Sequence, residues 1–268
     1  MSFTHYISTR FNVPTKIWGN TREGHKPLTE QWLSDRFILF MNYCLPSFKI
    51  QTNQNFQWLV YFDKKTPQKY IETIESIKKT YKNFQPIFVD DHEEMFENFK
   101  MIAASHDKDF VITTDVDNDD MIHKDFVKTI QELYQPKHNL AIDLKLGLQL
   151  TKTSKNTAFL QYLFYTGSPF ISLVEEKNNA KTVMHQSHTL YRTNEHFVYY
   201  EKEPRYIQFI HENNLVNSTS PNMKRLGKID YDDYGTTKEN QLIISQSQAF
   251  FFNFKRNFSI LSKLFKKK

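Results

Sequence analysis

Four carboxylates lie within six residues of this sequence, at Asp115, Asp117, Asp119 and Asp120. They directly follow a short apolar run that is typical of a buried β-strand. Crowded carboxylates repel one another, and a hard divalent cation such as Mg²⁺ or Mn²⁺ is a natural countercharge for oxygen ligands. Such an ion would stabilise the negative charge that develops on a departing diphosphate. The alternative is a solvated acidic turn in which Asp119 or Asp120 caps the following helix.

Two further charged residues, Arg10 and Asp63, stand at the ends of predicted strands. Alternating strand and helix patterns predict an α/β fold with a mainly parallel sheet flanked by helices. In such sheets ligands bind beyond the carboxyl ends of the strands, so we expect Arg10, Asp63 and the acidic cluster to converge there. The predicted strands cover residues 4–13, 57–62, 86–89 and 109–114. The predicted helices cover residues 30–48, 66–81, 93–105 and 123–134, and the first of them is expected to end near Pro46.

The composition is that of a folded protein with one main domain. Aromatic residues make up 15% of the 268 residues, a share that disordered chains do not carry. No stretch approaches the ~18 apolar residues of a membrane span, and the N-terminus lacks the pattern of a secretory signal. The single cysteine, Cys44, excludes an intrachain disulfide and suits a reducing cytoplasm. Without an internal linker, we expect one domain over residues 1–250, with a further strand at 140–151.

Residues 251–268 form a separate basic segment. They hold six basic side chains and no acidic one, whereas the net charge of the whole chain is +5, so the remainder is nearly neutral. This distribution argues against a nucleic-acid-binding face. The apolar residues have helical spacing, which predicts an amphipathic helix that lies on an anionic membrane surface. The alternative is a helix packed on the domain with a frayed basic end. The apolar stripe consists of Phe254, Phe258, Leu261 and Phe265, widened by Ile260 and Leu264.

The segment Asp117 to Asp120 resembles the Asp-x-Asp motif of glycosyltransferases with the GT-A fold. More narrowly, the chain resembles the bacterial family of putative rhamnosyl transferases over most of residues 4–190. One departure is Asp115, where the family is expected to carry Arg. The matching segments are residues 8–13, 44–47 with 51–52, 56–63, 113–114 with 117–120, and 169–175.

The resemblance implies a GT-A-like, Rossmann-like fold and a metal-dependent transferase. The enzyme would move a sugar, with rhamnose as the family-level expectation, from a nucleotide-diphosphate sugar to a bacterial surface glycan, with inversion. The resemblance also implies a Mn²⁺ or Mg²⁺ site at Asp117, Asp119 and a late histidine, for which His188 is favoured over His185. The implied nucleotide-sugar contacts are Arg10, Asp63, Asp117 and Asn118.

An inverting transferase needs a general base that deprotonates the acceptor hydroxyl. Glu175 is the candidate, because it ends the apolar run of residues 170–174 and matches a family segment. Glu176 is a close rival, and either residue could simply begin a solvated loop.

Two other functions stay open at this point. One is nucleotidyl or phosphoryl transfer, although the sequence lacks a Gly-rich phosphate loop. The other is a non-catalytic protein of the same fold that binds glycan or lipid. The leading hypothesis is a cytoplasmic glycosyltransferase, peripheral at the inner face of the cytoplasmic membrane, that extends a glycan or lipid-linked glycan.

Overall fold

The structure is a computed structural model that describes residues 2–15, 28–211 and 219–265, with side chains up to Ser259. The helices within these ranges are α1 (Glu30–Leu39), α2 (Leu45–Lys49), α3 (Gln68–Thr80), α4 (His92–Ala104), α5 (Phe126–Glu132) and α6 (Gln246–Phe265). The strands are β1 (Phe3–Arg10), β2 (Gln57–Asp63), β3 (Phe84–Val89), β4 (Phe110–Asp115), β5 (Met121–Ile122), β6 (Leu140–Leu144), β7 (Leu146–Lys152), β8 (Thr157–Phe164), β9 (Ser172–Glu176), β10 (His196–Tyr200), β11 (Tyr206–Ile210), β12 (Arg225–Leu226) and β13 (Ile243–Ile244).

The large sheet has seven strands in the order β10-β6-β9-β4-β1-β2-β3. Strands β1 to β4 run parallel to one another, and β6 runs parallel to β10. Strand β9 lies between β4 and β6 and is antiparallel to both. The predicted α/β fold with a mainly parallel sheet is therefore confirmed, but the sheet is mixed because of this one central strand.

The apolar runs of the sequence explain why these strands lie at the centre of the molecule. Residues 58–62 of β2 are at most 2% exposed, because helices cover both faces of the sheet. One face packs against α1, α2, α3 and α5 through a core that includes Phe40 and Ile74. The other face packs against α4 through Met95 and Phe99. Packing on both faces fixes the positions of the strand ends.

Residues 140–151, predicted as one strand, belong to two strands in different sheets. Strand β6 lies in the large sheet, and β7 begins a second sheet in the order β12-β8-β7-β11-β5, with β13 paired to β8. An apolar pattern does not mark the break at Lys145, because both halves are buried. Close packing requires a glycine just after the break, since a Cβ at Gly147 would lie 2.2 Å from the Tyr206 ring.

The helix predicted at residues 30–48 starts as expected but does not end at Pro46. Thr29 caps α1, because its side chain accepts the backbone N–H of Trp32. A π-helical turn, Phe40–Cys44, then connects α1 to α2. Pro46 lies directly after this turn, at the start of α2, and the helix continues to Lys49.

The predicted C-terminal amphipathic helix is present as α6. It begins at Gln246, a few residues before the expected start of the tail, and packs against β12. Across the described ranges, none of the helices combines the length and apolar character that crossing a bilayer requires.

Candidate active site

A cavity of about 210 Å³ opens at the carboxyl ends of β1 and β4. Charged residues from the strand ends form one wall, and apolar residues from the segments around positions 170 and 184 form the other. Three residues predicted from the sequence, Arg10, Asp117 and His188, come together here. The full lining is Arg10, His92, Asp115, Asp117, Pro169, Ile171, Val183, Met184, Gln186 and His188.

Asp115 and Arg10 form the base of the charged wall. The Ser8 hydroxyl donates to Asp115 Oδ1 at 2.6 Å, which fixes this carboxylate at the end of β4. Burial raises the pKa of Asp115, while Ser8 and Arg10 oppose that rise. Burial lowers the pKa of Arg10, and the charges of Asp117 and Asp115 oppose that change. The wall therefore presents a guanidinium and carboxylates together.

Asp117 reaches into the cavity from the turn after β4. Its side chain is exposed there but is enclosed by protein on its other sides. This enclosure, followed by the charges of Asp119 and Asp115, raises the pKa of Asp117 to about 6. A carboxylate among like charges gains from binding a cation, so the surroundings of Asp117 favour a positively charged ligand.

Asp119 is buried behind Asp117 and has positively charged or polar neighbours. Its Oδ2 atom lies 2.5 Å from Arg36 Nη1 and 2.8 Å from His211 Nε2. Burial opposes ionisation, but the charge of Arg36 and the hydrogen bond from His211 hold the pKa of Asp119 below its usual range. Arg36 also donates to Asn118 Oδ1 at 3.0 Å, so one side chain from α1 fixes two residues of the acidic turn.

The donor atoms of this turn fit a hard divalent cation. Asp117, Asp119 and Asp120 each present a carboxylate oxygen, and these oxygens all lie within 4.8 Å of one another. Asp120 accepts the Phe209 N–H at 2.8 Å, and its pKa is raised by burial and then by Asp119 and Asp117. Mg²⁺ has oxygen ligands at about 2.1 Å, so small side-chain movements bring these atoms within reach of one ion.

A family model described as putative rhamnosyl transferase matches residues 9–224, a range that contains the whole cavity lining. The chain belongs to the putative rhamnosyl transferase family. No match to the chain is found among curated proteins.

Two kinds of transferase are among the solved structures to which this chain is similar. Residues 1–349 of S. aureus TarS, in complex with UDP-GlcNAc, share 13% identity with a TM-score of 0.46, over 83% of this chain and 63% of that one. A putative glucose-1-phosphate thymidylyltransferase from Bacillus anthracis shares 11% identity with a TM-score of 0.40, over 76% of this chain and 88% of that one. This chain spans less than two thirds of the TarS fragment.

Asn118 and Asp63, which were also predicted to contact the nucleotide sugar, do not line the cavity in this member of the rhamnosyl transferase family. The Asn118 amide donates to the backbone oxygens of Arg10 and Phe11 at 2.9 Å each, so it holds the acidic turn against the end of β1. Asp63 ends β2, as predicted, and its Oδ1 accepts the Lys65 N–H at 2.8 Å. Its contact with a nucleotide stays a prediction.

Glu175, the predicted general base, lies away from the cavity. It pairs with Val111, three residues along β4 from Thr114 at the cavity end, a distance of about 10 Å along the strand. Glu175 is 2% exposed and accepts the N–H groups of Lys181 and Thr182 at 2.9 Å each. Burial raises its pKa, while these two hydrogen bonds oppose the rise. Its placement supports a structural role, which is to hold the segment that carries Val183 and Met184 into the cavity.

His188 lies in the cavity but outside the carboxylate group, which within the described residues consists of three aspartates. Its Nδ1 atom is 2.8 Å from the Gly167 carbonyl oxygen. A carbonyl only accepts hydrogen bonds, so Nδ1 carries the proton and Nε2 of the neutral ring is an acceptor. Gly167 has φ of +74°, which favours glycine, and its N–H donates to buried Asp143 at 2.7 Å. His185, the alternative, bonds Thr182 and does not line the cavity.

Sequence reasoning missed Arg36 and His211. Arg36 lies among the apolar positions Leu33, Phe37 and Phe40 of a predicted helix, and a charged residue on such a face indicates a buried partner. His211 directly follows the buried strand β11, much as Asp63 stands at the end of the buried strand β2.

Proposed function

We propose that this chain is a metal-dependent, inverting glycosyltransferase that moves a sugar from a nucleoside-diphosphate sugar to a glycan acceptor. The observation that carries the proposal is the meeting of Arg10 and Asp117 with the Asp119–Asp120 pair at one edge of the sheet. A positive side chain, a cation-binding turn and an apolar wall are the three surfaces that a sugar diphosphate requires.

Mn²⁺ or Mg²⁺ would be held by Asp117 and Asp119, with Asp120 beside them. When bound, such an ion neutralises the charge that grows on the departing diphosphate. Arg36 and His211 keep Asp119 ionised and in position. Compared with the predicted ligand set, His211 replaces His188 as the histidine next to the metal site.

Arg10 lies where its guanidinium can bind a phosphate of the donor. The apolar side chains of Ile171, Val183 and Met184 exclude water from the opposite side of the cavity. During transfer, the acceptor oxygen forms a bond to the anomeric carbon. The bond from that carbon to the diphosphate oxygen breaks, and its electron pair leaves with the diphosphate.

The proton of the acceptor hydroxyl needs an acceptor inside the cavity, and His188 Nε2 fills this role better than Glu175. Replacing His188 with Asn keeps an N–H near the position of Nδ1 but removes the base, so turnover should fall roughly 10²- to 10⁴-fold. The matched control is His185→Asn, three residues away and outside the lining. Turnover of His188→Asn within threefold of wild type would rule out this assignment.

The family description favours rhamnose as the transferred sugar. Two features support a peripheral location at the inner face of the cytoplasmic membrane, with a lipid-linked glycan as acceptor. Phe250, Phe254 and Phe258 on α6 are each at least 64% exposed. The same segment carries six basic side chains without an acidic one.

A thermal-shift experiment with UDP, dTDP, GDP and CMP, each with and without Mn²⁺ or Mg²⁺, tests the donor and the metal together. A ligand that binds only the folded state raises the melting temperature. We expect a metal-dependent shift from one nucleoside diphosphate that is lost in Asp117→Asn and kept in Asp232→Asn, which changes an exposed carboxylate elsewhere.

Each other outcome has a defined meaning. A shift that needs no metal would contradict the metal site while keeping the nucleotide. Release of diphosphate from a nucleoside triphosphate, with no reaction of nucleotide sugars, would indicate nucleotidyl transfer. The absence of any shift from folded protein would favour a non-catalytic binding protein.

A further inference from the structure

Helix α6 is attached to the domain along one face. Both backbone groups of Arg225 bond the Asn253 side chain at 2.9 Å. The Arg225 guanidinium lies between two aromatic rings, 3.9 Å from the Phe159 centroid and 3.8 Å from the Phe252 centroid. Ala249 on the same face is buried. These contacts fix the rotation of α6 about its axis.

The opposite face of α6 carries four aromatic side chains, Phe250, Phe251, Phe254 and Phe258, that are 62–69% exposed. Their spacing places them within about 100° of one another around the helix. We call this the outer face of α6. Since the helix is held by its other side, the outer face is presented in a fixed direction.

The direction of α6 follows from its contacts with β12 and the residues before it. Gln246 packs against Gly227, Asn253 lies beside Arg225, and Arg256 Nε donates to the Asn222 carbonyl at 2.6 Å. The helix therefore runs antiparallel to residues 222–227. Strand β12 is itself antiparallel to β8, so α6 runs in the same direction as β8.

Strand β8 ends at the cavity edge of the molecule. Strands β6 and β4 are both antiparallel to β9, so their carboxyl ends lie at the same edge, and Lys145 directly follows β6. The Tyr165 N–H donates to the Lys145 carbonyl at 3.0 Å. Four residues later, Pro169 lines the cavity. Phe164 and Tyr165, which we call the aromatic rim, are 50% and 47% exposed.

We propose that the outer face of α6 and the aromatic rim form one docking surface for an anionic lipid bilayer, so that the cavity opens at the membrane. Aromatic side chains favour the interface between acyl chains and headgroups, and the basic residues of the tail are attracted to acidic headgroups. The statement that this position serves a lipid-linked acceptor rests on the proposed function, whereas the docking itself does not.

The charge distribution favours a bilayer over a second copy of the chain. A symmetric dimer through α6 would bring the same surface of two copies together. Each copy would then bring six basic side chains to the contact, without an acidic residue from residues 246–268 to neutralise them. An anionic bilayer supplies the opposite charge.

Flotation with phosphatidylcholine vesicles, with or without 30% phosphatidylglycerol, tests the docking surface. Wild type should bind the anionic vesicles at least tenfold more strongly than the neutral ones. The double variant Phe254→Ser with Phe258→Ser should weaken that binding at least tenfold, and Phe164→Ser with Tyr165→Ser at least threefold. The matched control, Ile38→Ser with Met101→Ser, changes two exposed apolar residues elsewhere and should bind like wild type.

Two results would overturn the inference. If the rim variant binds as wild type does while the α6 variant does not, the membrane contacts the tail alone and the cavity edge is remote from it. The outer face serves another partner if wild type does not bind anionic vesicles. The same conclusion follows if wild type sediments as a dimer and the α6 variant sediments as a monomer. Nucleotide-induced thermal shifts without vesicles should be the same in all four proteins, so failure of docking is distinguishable from failure of the proposed function.

Discussion

Titratable side chains at the cavity edge of the large sheet have different exposure and different neighbours from those deeper in the sheet. Asp117 at the edge is exposed and surrounded by like charges, whereas Glu175 is buried and accepts two backbone hydrogen bonds. His5, in the middle of β1, is likewise buried and bonded to Thr114 and Gln131. Asp117 is therefore prepared for a ligand, whereas the hydrogen bonds of Glu175 and His5 inside the protein indicate structural roles.

Removal of Arg36 should have the largest effect on stability. Arg36→Met leaves buried Asp119 without its main countercharge, and breaking a buried ion pair in this way costs about 3–5 kcal/mol. Urea unfolding at pH 7.5 measures the loss. Arg192→Met, at an exposed arginine, should cost less than about 0.5 kcal/mol. Equal losses in both variants would contradict the role of Arg36 as countercharge.

Glu175→Ala should destabilise the protein by about 2–4 kcal/mol, because the N–H groups of Lys181 and Thr182 lose their acceptor. Glu176→Ala, which changes the exposed neighbour, should have a small effect. Nucleotide release from the donor sugar should keep its pH dependence in folded Glu175→Ala. If turnover is abolished in protein of unchanged stability, Glu175 is the general base after all.

His5 should make the fold sensitive to mild acid. The Gln131 amide donates to His5 Nδ1, so the neutral ring donates from Nε2 to Thr114. Burial lowers the pKa of His5 to about 3 from its usual 6.5. Between these values the unfolded chain binds more protons than the folded one, so stability rises with pH, and about 2 kcal/mol should be lost from pH 7.5 to pH 5.

The control for this pH effect is His5→Gln, which has no titrating ring. Urea unfolding at both pH values should show a pH-dependent loss that is about 2 kcal/mol smaller in His5→Gln than in wild type. The same pH dependence in both proteins would assign the acid sensitivity to other groups.

Asp117→Asn should have the smallest effect on stability, although it removes a residue of the proposed metal site. The substitution relieves repulsion with Asp119 and Asp115, so the free energy of unfolding should stay within about 0.5 kcal/mol of wild type or rise slightly. Turnover should fall at least roughly 100-fold. A strongly destabilised Asp117→Asn would place Asp117 among the structural carboxylates and erase the contrast with Glu175.

The sequence predicts the edge of the sheet better than its interior. Apolar runs locate β1, β2 and β4, and the charged residues that follow two of them reach the cavity. Periodicity carries no information about strand direction, however. The run of residues 170–174 would bring Glu175 to the cavity if β9 were parallel to β4, and it takes Glu175 to the far side because β9 is antiparallel.

The second sheet and the attachment of the tail were also not predictable from the sequence, for different reasons. Strands β5, β12 and β13 have two residues each, too few for a periodic signal. The break at Lys145 is hidden because both flanking strands are apolar. The tail was predictable as an amphipathic helix, but its attachment depends on Arg225, Phe159 and Phe252, which are distant in sequence.

The central position of β9 has a consequence for synthesis on the ribosome. Strands β4 and β6 are complete by residue 144, but the strand that joins them ends at residue 176. Until then, β4 presents one unpaired edge to other chains and β6 presents two, because the other neighbour of β6, β10, ends only at residue 200. These edges are rich in apolar residues and are prone to pair with other chains. The interval between residues 144 and 176 is therefore the stage of translation at which this protein most needs protection from aggregation.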